Sequence, residues 1–222
     1  AYENMSRMDW AIELFNWFEY WLKGVGDESE SYVQMQTHDG RWHLEETWPP
    51  EDLTWEYQML EEWTGGSGNG LVSANSQTVA ISNEFSNEIH ISGLPTLELE
   101  VTTNFCNGGQ IFATLFDNTI DLRLGHGVMD IRYRDGGYDA KPVNPLPTSY
   151  TMYMEFNPLD VVLPAGHSLR IEFTDTGEDY LPSTCAVAGL SINSGTLGLP
   201  IIERPVNHEN WFEVAHYNAS SV

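Results

Sequence analysis

The pattern that most constrains this chain is a two-residue hydrophobic period that sets in near Thr78. Leu97, Leu99 and Val101 alternate with Glu98, Glu100 and Thr102, and Met129, Ile131 and Tyr133 alternate with Asp130, Arg132 and Arg134. The same rhythm returns at Met152, Met154 and Phe156, and again at Leu169, Ile171 and Phe173. Successive side chains of a strand point to opposite faces, so each run turns one face to a core and one to water. Glycine and proline clusters separate the runs, at Gly136-Gly137, from Pro142 to Pro147 and from Pro164 to Gly166. Many short strands with turn signals between them predict a mostly β protein, an antiparallel sandwich or jelly roll. No second helix of any length is indicated, which argues against an α/β catalytic core in this chain.

The one predicted helix comes first. Ser6 to Lys23 reads SRMDWAIELFNWFEYWLK, and Gly24 and Gly26 end it. Ser6 followed by Asp9 fits an N-cap with an acidic first turn. Met8, Ile12, Phe15 and Leu22 form one apolar stripe. Trp10, Leu14, Trp17, Phe18 and Trp21 widen it over most of the circumference. A helix this apolar needs a partner surface. Asp9, Glu13, Glu19 and Lys23 interrupt a stretch already too short to span a bilayer. After an acidic link, Tyr32–Thr37 and Trp42–Thr47 read as a hairpin turning at Asp39-Gly40-Arg41. Thr54 to Leu60 reads as a further strand.

The charge excludes several classes of function. Thirty-three acidic residues face nine basic ones, for a formal net charge of −24. Phosphate backbones are neutralised by Lys and Arg, so nucleic acid is not an expected partner, and an anionic membrane surface is disfavoured for the same reason. The acidity runs along the whole chain. Adaptation to salty surroundings accounts for it, and the competing reading is a set of cation-binding carboxylates. Cys106 and Cys185 are the only cysteines and form no zinc pattern. A disulfide between them and two buried thiols are both open. No signal peptide is visible, and the first residue is Ala1 with no initiator Met, so an upstream segment is expected. A secreted or cell-surface location is expected ahead of a cytoplasmic one.

Signals for chemistry are sparse. The nearest approach to a nucleophile elbow is Gly65-Gly66-Ser67-Gly68-Asn69, which lacks the last glycine and a following helix. The glycines from Gly65 to Gly70 also lack the Lys-Ser/Thr of a phosphate loop. His38 and His43 flank a turn and point in different directions, so shared metal ligation is not expected. Asp175, Glu178 and Asp179 share one loop and form a candidate calcium site, with a solvated acidic loop as the plainer reading. His167 opens a strand and is expected to be a hydrogen-bonded structural histidine. Trp42, Trp48, Trp55 and Trp63 are expected in an interface or core, with a sugar-stacking platform as the alternative. No catalytic or cofactor-binding residue is assigned.

Several segments, in order, carry a resemblance. Trp17-Phe18-Glu19-Tyr20-Trp21-Leu22-Lys23-Gly24 resembles the WFDxWLKG helix of X-Pro dipeptidyl-peptidases and cocaine-esterase-type serine hydrolases. Gly40-Arg41-Trp42 through Trp48-Pro49 is similar to the segment that follows it there. Ala113 to Asp117, Gly127 to Arg134 and Val161 to Arg170 resemble successive strands of the family's C-terminal domain, and Ser194 to Ile201 resembles its closing strand. The set covers roughly positions 10 to 202. The resemblance implies a galactose-binding-like jelly-roll sandwich joined to an α/β-hydrolase domain. In that pattern the catalytic Ser, Asp and His precede the helix and have no counterpart here. His167 and Arg170 match the family's GHxLR element, which is outside its triad. The expected divisions are residues 1–26, the helix at the edge of an upstream hydrolase domain; 27–202, the sandwich; and 203–222, a tail. The expected partner is that hydrolase domain, docked on Trp10, Leu14, Trp17, Phe18 and Trp21, with a homo-oligomer left open. Carbohydrate-binding and surface-adhesion modules are the alternative functions.

Overall fold

The structure is a computed structural model, and it describes residues 8–27, 33–60, 62–64, 70–72, 78–103, 105, 108–175, 177, 180, 190–206 and 211. The side chains of residues 8–10, 62–64, 70–72 and 78 lie outside that description, as do Ser6, Ser67, Cys106 and Cys185. The chain divides into two compact units, Ala1–Trp48 with Asn207–Val222, and Pro49–Val206.

In the first unit, helix α1 (Met8–Lys23) ends as its glycines predict. Gly24 adopts φ +66°, its N–H donates to Tyr20 O at 2.9 Å, and the Val25 N–H reaches back to Glu19 O at 3.2 Å. This left-handed cap satisfies carbonyls that the helix would otherwise orphan. Glu19 and Lys23 pair one turn apart near the C-terminal end, where a cation suits the helix dipole. Strands β1 (Val33–Gln36) and β2 (Trp42–Glu45) form the expected hairpin, with Gln36 opposite Trp42. Asp39 fixes its turn, accepting from the Thr37 hydroxyl at 2.6 Å and from Arg41 Nε at 2.7 Å. Burial would raise the Asp39 carboxyl; hydrogen bonds from the Arg41 side chain, Thr37 and the Arg41 backbone outweigh it and hold the group well below the usual carboxylate range.

The second unit is a two-sheet sandwich. Its strands in chain order are β3 (Leu53–Met59), β4 (Glu62–Thr64), β5 (Gly70–Val72), β6 (Thr78–Ile81), β7 (Ile89–Gly93), β8 (Thr96–Thr103) and β9 (Gln110–Asp117). They continue with β10 (Leu122–Asp130), β11 (Ser149–Glu155), β12 (Leu159–Leu163), β13 (Leu169–Thr174) and β14 (Leu190–Ile202). One sheet has the order β10-β9-β13-β6-β4; the other runs β11-β8-β14-β7-β12, with β3 and β5 also paired to β14. All pairings are antiparallel among the described strands. The chain crosses repeatedly between sheets: β7 and β8 lie in one, β9 and β10 in the other, β11 and β12 back in the first. That alternation gives the jelly-roll sandwich its connectivity.

The core lies between the sheets. Leu97, Leu99 and Val101 of β8, Ile111, Ala113 and Leu115 of β9, and Met152 and Met154 of β11 are fully buried. Leu169, Ile171 and Phe173 of β13 close the opposite side, also buried. Each alternation read from the sequence thus turns its apolar set inward, with one exception. Residues 129–134 were expected to continue a strand, but β10 stops at Asp130, and Ile131–Tyr133 form a 3-10 turn. The Asp130 carboxylate accepts from the Arg132 N–H at 2.8 Å and from its guanidinium at 2.7 Å, capping the turn. A local acidic cap overrides the period-two pattern at this point. One glycine is required by close approach: a Cβ at Gly127 would sit 2.7 Å from the Glu155 carbonyl oxygen.

Candidate functional site

The expected docking residues come from the first turns of the sequence. Trp17 is 45% exposed and Trp21 is 56% exposed, and Leu14 and Phe18 are also open to solvent. Phe15 and Leu22 extend the same surface. The rings support one another: Trp17 meets Phe18 edge-on with centroids 5.1 Å apart and lies 6.4 Å from Trp21. Together these side chains give α1 an exposed apolar face. The Trp10 side chain is outside the described residues.

The GHxLR element forms a lock at one end of the sandwich. His167 Nδ1 lies 2.7 Å from Asp117 Oδ2 at the end of β9. Asp117 is buried, and its Oδ1 accepts from the Thr119 N–H at 2.9 Å. Arg170 reaches Asp121 at 2.6 Å and Asn118 at 3.3 Å, with its guanidinium 4.5 Å from the Phe116 ring centroid. His167 and Arg170 therefore clamp the β9–β10 connection to the start of β13. The turn before them is tied by the Phe85 N–H donating to His167 O at 2.8 Å and the Gly166 N–H to Phe85 O at 2.8 Å. The His167–Asp117 pair thus joins the start of β13 to the end of β9. A second such pair, His90 Nε2 and Asp160 Oδ1 at 2.5 Å, is buried between β7 and β12.

Of the candidate calcium ligands, Asp175 alone is described; Glu178 and Asp179 lie outside the described residues. Asp175 is buried, and its Oδ2 has no hydrogen-bond partner among the described residues. Burial pushes its carboxyl pKa up. His38 and His43 stand on either side of the hairpin turn's centre. His38 is exposed in the hairpin turn, whereas His43 Nδ1 lies 3.0 Å from Glu45 Oε1 and its ring stacks on Trp211 at 5.0 Å. The tryptophans divide as well. Trp42 and Trp48 are half-buried, Trp55 stands on the solvent face of β3, and the side chain of Trp63 is not described.

Two features went unread in the sequence. The partners of His167 and His90 are 50 and 70 residues away along the chain, and no local pattern announces them. The second is a depression of about 320 Å³ on the outer face of the larger sheet, lined by Trp55, Tyr57, Thr96, Glu98, Tyr153 and Thr196. It is assembled from four strands; of its residues the sequence singles out Trp55 alone, as one of four tryptophans with a sugar-stacking platform as the alternative reading.

Among solved structures, the chain is similar to a CocE/NonD family hydrolase from Staphylococcus aureus, at 13% identity and a TM-score of 0.62, covering 88% of this chain and 46% of that one. It is also similar to an aminopeptidase from the marine sediment archaeon Thaumarchaeota archaeon, at 11% identity and a TM-score of 0.60, covering 86% of this chain and 44% of that one. At these identities the likeness is one of fold, and the chain spans less than half of either relative. No curated protein sequence matches it. Residues 23–182, well over half of the chain, match the family described as the X-Pro dipeptidyl-peptidase C-terminal non-catalytic domain. With its ordered motifs, its jelly-roll sandwich and this family match in agreement, the chain belongs to the X-Pro dipeptidyl-peptidase C-terminal non-catalytic domain family.

Proposed function

We propose that this chain is the accessory sandwich of a serine hydrolase that cleaves peptides or esters, and that it docks on the α/β-hydrolase domain through the exposed face of α1. The chemistry is acyl transfer to a serine, with histidine as base and an oxyanion hole, all supplied by the hydrolase domain. The sandwich supports that domain and shapes its substrate pocket. The observation that carries the reading is the apolar surface of Leu14, Trp17, Phe18 and Trp21, which is exposed in this chain and stands immediately before the residues, 23–182, that match the family. The acidic surface fits the same protein working in salty surroundings.

The test uses X-Pro anilides and short-chain esters as substrates. This chain alone should give no turnover above buffer, and should bind the separately produced hydrolase domain and change its KM. Turnover by this chain alone that a serine-directed inhibitor abolishes would overturn the assignment, as would a hydrolase domain indifferent to its presence.

A further inference from the structure

The outer face of the larger sheet carries a constellation that the docking role does not use. Along β3, Trp55, Tyr57 and Met59 share one face of an edge strand, and all three are exposed. The Trp55 and Tyr57 rings are nearly parallel, at 18°, with centroids 6.2 Å apart. Tyr57 lies opposite Gly198 of β14, and Gly198 lies opposite Thr96 of β8. A Cβ at Gly198 would fall 2.4 Å from Thr96 Oγ1 and 3.1 Å from Tyr57 Cε1. The missing side chain therefore lets the tyrosine ring approach β14 and the hydroxyl of Thr96. One row further along the sheet, Thr196, Glu98 and Tyr153 sit side by side on β14, β8 and β11. Together with Trp55, Tyr57 and Thr96 they line the 320 Å³ depression.

The chemistry of this surface selects a ligand. The stacked Trp55–Tyr57 pair offers an apolar surface, and a carboxylate with several hydroxyls stands at its edge. Among the described residues, no Lys or Arg lines the depression. Glu98, Glu100 and Glu155 all project from the same face of β8 and β11, in a chain of net charge −24, so an anionic ligand is repelled. The Tyr153 hydroxyl lies 3.3 Å from Glu155 Oε1, and burial, reinforced by that carboxylate, pushes its phenol pKa up and keeps it a neutral donor. What complements aromatic faces, hydroxyls and an acceptor carboxylate is a neutral ring with C–H groups on its faces and hydroxyls around its edge. The volume lies at the small end of ligand sites.

We propose that Trp55, Tyr57, Thr96, Glu98, Tyr153 and Thr196 form a binding site for a neutral saccharide, with pyranose rings packed on the two aromatic side chains and ring hydroxyls bonded to Glu98 and the threonines. The site belongs to this chain alone and does not depend on the hydrolase reading.

Isothermal titration of the full 222-residue chain with maltotriose, cellotriose, laminaritriose and xylotriose tests it. At least one should bind with a Kd of about 1 mM or tighter, and quench tryptophan fluorescence. Trp55→Ala should weaken that binding about tenfold, and Tyr57→Ala similarly, with an unchanged melting temperature because both side chains are exposed. Glu98→Gln, which keeps the shape, should weaken it several-fold. A trigalacturonate probe should bind less well than the neutral sugars. Absence of binding by all four trisaccharides overturns the proposal, as does binding that the Trp55 and Tyr57 variants leave unchanged. Burial of the patch against the hydrolase domain, seen as protection from hydrogen exchange in the complex, would also overturn it and reassign the surface as an interdomain contact.

Discussion

Replacing Trp17 and Trp21 together with serine separates a docking helix from one that merely decorates its own chain. The two indoles are 45% and 56% exposed, so about half of each is still in contact with water. A large aromatic side chain buries roughly 150–250 Å², which leaves about 100 Å² per residue for a partner to cover. At about 25 cal/mol per Å² the pair is worth up to about 5 kcal/mol of docking energy, and buried tryptophans are commonly the dominant anchors of an interface. Serine in both positions should therefore weaken association with the hydrolase domain by at least about a hundredfold. The isolated chain should respond differently. Serine and tryptophan have similar helix propensities, and the rings' own contacts with Phe18 and Tyr20 are exposed pairs worth about 0.5–1.5 kcal/mol each. Loss on that scale stays within the first helix and leaves the sandwich's unfolding transition in place. Calorimetric unfolding of the isolated variant, with titration calorimetry against the hydrolase domain, measures both quantities. An unchanged Kd refutes the reasoning, and so does a sandwich transition that collapses when the helix is altered.

Asp175→Asn should stabilise the chain at neutral pH by about 1 kcal/mol, because the amide takes the same space without the buried negative charge. The sign follows from the raised carboxyl pKa: the fold holds the proton more tightly than the unfolded chain does, so the associated stability is complete below the unfolded value and lost as pH climbs through the folded one. Urea denaturation at pH 4 and pH 7 should show the variant's advantage at the higher pH only; a loss at pH 7 that calcium reverses in the parent would point to the acidic loop as a cation site instead. With a net charge of −24, the melting temperature should rise by several degrees between 0.1 and 2 M NaCl as mutual repulsion is screened, and a flat or falling curve removes the salt-adaptation reading.

The sandwich was legible because a strand with one wet face writes its burial into the sequence at every second residue. Leu97, Leu99, Met152, Met154, Leu169 and Phe173 are buried as that alternation requires. The first helix announced both its amphipathic excess and its stop, since Gly24 supplies the left-handed cap that few other residues adopt. The same local logic misled at Asp130–Tyr133, where a carboxylate capping its own neighbour's N–H turned an alternating segment into a 3-10 turn.

Pairing across the sheets was a different matter. Which carboxylate meets His167, and which hydroxyl lies beside Gly198, depend on strand register. Register brings Tyr57 to Gly198 and Gly198 to Thr96 through backbone hydrogen bonds that are the same for every side chain. The sequence by itself thus determined the periods, the turns and the family. Only the tertiary structure decided which polar and aromatic groups share a surface, because sheet pairing sums many long-range contacts and leaves no local mark of its partners.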